Sequence, residues 1–166
     1  MKISIRNLSN KKRSRKAMNE LKDFAREIAQ KLKITDNISE IRLRYTKQFN
    51  GYYPKGQPLG GFFKLYNPET QVVTIDFTGF WDISREDRLV AIVHELTHVH
   101  QMVSEKLQIS SDGKECKWKG KDYQKWKKLK LSLLDDMTPD EQTEYLHKYL
   151  PWEKEVDRNC KKYIKK

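Results

Sequence analysis

In Val93-His94-Glu95-Leu96-Thr97-His98-Val99-His100, two histidines stand four residues apart and a glutamate directly follows the first. On an α-helix, residues four apart share a face, so His94 and His98 can each offer an imidazole to one metal ion. Glu95 points about 100° further round the axis, which denies it the same ligand position and lets it reach a metal-bound water as general base. Zinc is the ion that such a histidine pair with an adjacent base serves in hydrolysis. The chain has four histidines and three of them fall in this stretch, so the motif is not one match among many scattered histidines. His100, about 240° from His94, lies off the metal-facing side and reads as an ordinary helix histidine.

The helix that must carry the motif is legible around it. Ser84 is an N-cap residue with Asp87 in the capping-box position. Leu89, Ile92, Val93, Leu96, Val99, Val103 and Leu107 recur at three- and four-residue steps, predicting an amphipathic helix over 84–107. His98, Gln101 and Glu105 fall within about 40° of His94 and form a polar band along it.

A catalytic zinc takes three protein ligands and leaves one position open. Glu105 shares the band but lies about 10–16 Å further along the axis, out of reach. Pro151 opens a later helix whose apolar stripe is Trp152, Val156, Cys160 and Tyr163. Glu153 stands about 65° from the centre of that stripe and Glu155 about 95° on the other side. Glu153 is therefore the nearer third ligand, with Glu155 the alternative. Asp157, one turn beyond Glu153, is placed to hydrogen-bond a ligand histidine. Tyr149 and His147 are candidates to stabilise an oxyanion.

The rest of the chain supplies a frame. Ile3 and Ile5 mark a short strand, Ala17 to Leu32 an amphipathic helix, and Ile41, Leu43 and Tyr45 a second strand. The Gly-, Pro- and Tyr-rich 50–61 stretch reads as a long loop. Residues 61–66 and 72–77, joined by Asn67-Pro68-Glu69-Thr70, read as a β-hairpin just before the motif helix. Thr138-Pro139-Asp140-Glu141 opens another helix. The expected fold is a single α+β domain over 1–166. It would hold a small, mostly antiparallel sheet whose hairpin precedes the motif helix, and a helical C-terminal part.

His94-Glu95-Leu96-Thr97-His98, followed on a later helix by Glu153-x-x-x-Asp157, resembles the zincin metallopeptidases of the gluzincin type. It is most similar to the small members found in phage and bacterial genomes, whose C-terminal pattern is Pro-Trp-Glu-x-Glu-Ala; here Val156 replaces the alanine. The resemblance implies one zinc ion, two histidine ligands and a general-base glutamate on one helix, and a glutamate ligand on a second. It also implies a peptide or protein substrate held along a sheet edge. The related SprT-like proteases, which act on DNA-bound proteins, use a third histidine; only His147 could serve, and its position does not fit that pattern.

The 166 residues can bury a core without disulfides, and Cys116 and Cys160 have no framework spacing. No apolar segment has signal-peptide or membrane length, so a cytoplasmic protein is expected (in the host cytoplasm if phage-encoded), with no membrane partner. The net charge of +11 allows contact with polyanions such as nucleic acid. The basic run 11–16 and the seven lysines from Lys117 to Lys130, interleaved with Trp118, Tyr123 and Trp126, could supply it. Packing is the more economical use of those aromatics. The competing reading of the whole is a basic binding module whose zinc is structural or inactive.

Overall fold

A computed structural model describes residues 1–7, 13–34, 36, 38–46, 60–67, 69–110, 115–123, 137–138, 141, 144–145 and 148–164, with backbone alone at 46, 60–67 and 78. Strand β1 (Lys2–Asn7) leads into helix α1 (Arg15–Lys31), then strands β2 (Glu40–Thr46), β3 (Gly60–Asn67) and β4 (Val72–Thr78). Helix α2 (Arg85–Val103) follows, then the short strands β5 (Leu107–Ile109), β6 (Cys116–Trp118) and β7 (Lys121–Asp122), and helix α3 (Pro151–Tyr163). The architecture is α+β.

The main sheet has the order β1-β2-β4-β3. β1 pairs parallel with β2, β2 parallel with β4, and only the β3–β4 hairpin is antiparallel. The main sheet is thus mixed, not the mostly antiparallel sheet expected from the sequence. The reason is that α1 carries the chain from β1 back to start β2 in the same direction, as a parallel pair requires. The smaller β5-β6-β7 sheet is antiparallel throughout.

Alternation puts Ile3, Ile41, Leu43, Tyr45, Val73, Ile75 and Phe77 on one face of the main sheet, all buried. Against them pack Leu21, Ala25, Ile28 and Ala29 of α1 and Ile92, Val93, Leu96 and Val99 of α2. On the opposite face Arg44 makes a two-pronged ion pair with the buried Asp76 of the neighbouring strand. Ile75, on a central strand and fully buried, is expected to cost about 2–5 kcal/mol when cut to alanine, read by urea denaturation.

Helix α2 begins where its sequence predicts, and α1 begins at Arg15, two residues before its apolar stripe. Ser14 Oγ accepts from the Ala17 amide at 3.1 Å, and Ser84 Oγ from the Asp87 amide at 3.0 Å. Helix α2 stops earlier than its apolar stripe implied. Ser104 caps it, Glu105 takes a left-handed φ of 56°, and Leu107 leaves the helix to start β5. The stripe ran on because Leu107 is buried too, but in a second cluster with Cys116, Leu150 and Trp152. Trp118 and Tyr123 pack on this cluster, with ring centroids 6.0 and 5.4 Å from Trp152, so these two aromatics serve packing. Trp126 lies outside the described residues, as does most of the lysine-rich stretch. Among the described residues no helix is long and apolar enough to cross a membrane.

Candidate metal centre

Helices α2 and α3 pack antiparallel. Moving up α2, Cys160 Sγ meets the Val90 carbonyl, Asn159 donates to Thr97 Oγ1, and the Gln101 amide donates to the Trp152 carbonyl. Thr97, fully buried inside the motif, donates a hydrogen bond from its own hydroxyl to the Val93 carbonyl at 2.8 Å and so joins the interface without an unpaired group. This alignment brings Glu153, in the first turn of α3, level with the second histidine of α2.

His94, His98 and Glu153 therefore converge, with one potential ligand atom from each lying within 4.8 Å of the others. The two Nε2 atoms are 3.1 Å apart. His98 Nε2 stands 3.4 Å from one Glu153 oxygen, and His94 Nε2 stands 3.7 Å from the other. A tetrahedral zinc with bonds of about 2.0–2.2 Å spaces its ligand atoms about 3.3–3.6 Å apart, and the three separations here lie within about 0.2 Å of that range. The side chains are 32, 18 and 11% exposed, which leaves the site open on the His94 side.

The protonation pattern fits as well. Gln101 is fully buried, and its amide nitrogen is committed to the Trp152 carbonyl at 3.0 Å. Its oxygen is left facing His98 Nδ1 at 3.0 Å. A carbonyl oxygen can only accept, so Nδ1 carries the hydrogen and Nε2 presents a bare lone pair to the other two groups. Gln101, which sets this tautomer, lies in the polar band of the sequence, and its position three residues after His98 is the signal for the role. Gln101→Leu is expected to weaken zinc binding by about 10–100-fold, measured by competition with a chelator.

Glu95 is 7% exposed. Burial pushes its carboxyl up to about 7, with the nearby charge of Glu153 adding to the rise. Glu155, the alternative third ligand, is turned away from the triad. It takes a hydrogen bond from Lys106 at 3.0 Å and a longer one from Gln101. Burial alone would raise its carboxyl, but these donors outweigh burial and hold it below the usual carboxylate range. His100 also stands apart from the triad, with its Nε2 3.0 Å from Lys106 Nζ.

Asp157 is half-buried one turn beyond Glu153. Tyr149 is not a member of the converging group. Its ring lies against Tyr145, in the lining of a separate cavity of about 260 Å³. His147 lies outside the described residues. Cys116 is buried in the smaller core cluster, and neither it nor Cys160 belongs to the converging group.

Comparison with protein-family models, curated proteins and solved structures finds no match to this chain.

Proposed function

We propose that this protein is a zinc-dependent metallopeptidase of zincin-like fold, with His94, His98 and Glu153 as the metal ligands and Glu95 as general base. The observation that carries the reading is the joint geometry. Three groups of zinc-ligand type meet at coordination spacing, and a buried carboxylate sits beside the first of them. A bound zinc ion supplies Lewis acidity, polarising a scissile carbonyl and lowering the pKa of a water to about 7.

Glu95 then accepts the proton from the attacking water and returns it to the leaving amine. Its burial makes the ionised form costly, so it is a stronger base than an exposed glutamate. Glu153, in the first turn of α3, sits where the helix dipole favours its negative charge. Asp157 is assigned to support a ligand histidine. Strand β3 is an edge of the main sheet next to α2 in the fold, and its outer backbone groups suit an extended peptide.

A structural zinc would be closed by four protein ligands and would favour cysteine. The converging group among the described residues has three members and no cysteine, which favours a hydrolytic site. Digestion of a broad peptide library by zinc-loaded protein tests the reading. Cleavage that stops when a chelator is added, and returns when zinc is restored, is expected. No cleavage by protein that holds one zinc per chain would move the assignment to a binding module.

A further inference from the structure

Two arginines lie against Trp81, where α1 and α2 both begin, and the charge of a third, Arg85, acts on one of them. The guanidinium carbons of Arg13 and Arg88 lie 5.0 and 5.3 Å from the Trp81 ring centroid, and Arg13 also donates to the Trp81 carbonyl at 3.3 Å. Arg85 is one turn before Arg88 on the same side of α2. None of the three forms an ion pair with a described carboxylate. Glu86 and Asp87 share the first turn of α2, and Asp87 accepts the Ser84 hydroxyl at 2.7 Å.

The cluster is costly as it stands. Arg88 is lowered by burial and then by the charges of Arg13 and Arg85. The first turn of α1 holds no acid and instead carries Arg15 and Lys16, at the helix end that already favours an anion. Beneath the arginines lies a stack of aromatic rings, with Tyr45 on Phe80 at 4.3 Å and Trp81 edge-on to Phe80 at 5.3 Å. That stack fixes the platform on which the guanidiniums rest.

We propose that Arg13, Arg85 and Arg88 form a phosphate-contacting site for the backbone of nucleic acid, separate from the metal centre. Guanidinium forks match phosphate oxygens in pairs, and a chain of net charge +11 is drawn to a polymer of phosphates. Trp81 is only 8% exposed under its arginines, so it does not stack on bases and the contact is independent of sequence. Six helical steps, about 9 Å along the axis, separate Arg88, the nearest of the three on α2, from His94, so the backbone can bind without touching the metal ligands.

The test is fluorescence anisotropy of the full chain with a short duplex of arbitrary sequence, titrated between about 50 and 200 mM salt. Wild type is expected to bind at low salt with a linear log–log dependence. R13Q/R85Q/R88Q is expected to bind at least tenfold more weakly and to lose about 3 from the slope, at roughly 0.9 per phosphate contact. R85Q, which leaves both Trp81 contacts in place, guards against a folding artefact and should lose about 1 from the slope. His94→Ala should bind as wild type does. Absence of wild-type binding at low salt, or an unchanged slope in both arginine variants, overturns the proposal. Binding to polyglutamate but not to the duplex also overturns it and assigns the cluster to an acidic protein.

Discussion

Glu95→Gln is expected to lower peptide hydrolysis by about 10²–10⁴-fold while zinc content stays at the wild-type level. The amide keeps the size and position of the side chain, so the α2–α3 interface and the three ligands remain. What is lost is the only property the mechanism takes from Glu95, the capacity to accept a proton from water. Steady-state kinetics on a cleaved library peptide, run beside metal analysis of the same preparation, measures both. Undiminished turnover would show that some other group is the base. Loss of activity together with loss of zinc would show that Glu95 acts on the metal and not on the water.

Glu95 also sets an expectation for the metal-free protein. Its carboxyl is pushed from 4.5 up to about 7 by burial, so between these values the folded state holds a proton that the unfolded chain has released. Stability from this group is complete below pH 4.5 and is lost as the pH rises through about 7. A shift of this size is on the order of 3 kcal/mol. Urea unfolding of chelator-treated protein should show that decline, and Glu95→Gln should flatten it. A variant that is no more stable than wild type above pH 7 would mean that the buried carboxyl is relieved in some other way. Bound zinc adds a positive charge next to the site, so the decline should shrink in the loaded protein.

The elements closest to the motif were the most legible in the sequence. The cap of α2, the hairpin and the Pro151 helix start are local, set by side chains within a turn of the backbone groups they serve. Glu153 over Glu155 could be chosen from sequence because a core-facing stripe fixes which way each carboxylate leaves α3. The structure adds that Lys106 and Gln101 draw Glu155 elsewhere, a long-range fact that helical angles cannot carry. The direction of β1 against β2 was not legible, because strand alternation is the same in parallel and antiparallel pairs. The early end of α2 was hidden for a related reason. Leu107 keeps the helical spacing by coincidence, and its burial belongs to a different cluster. The orientation of Gln101 is not legible in the sequence because it depends on the Trp152 carbonyl 51 residues away.

The central claim is that one metal ion is held between α2 and α3 by His94, His98 and Glu153. Zinc per chain, determined by plasma mass spectrometry on purified protein after exhaustive dialysis, tests it most directly. The account predicts about one zinc in wild type and in Glu95→Gln. It predicts little or none in His94→Ala or His98→Ala, and a marked loss in Glu153→Ala with Glu155→Ala unaffected. Stoichiometric zinc that survives His94→Ala or His98→Ala would contradict it.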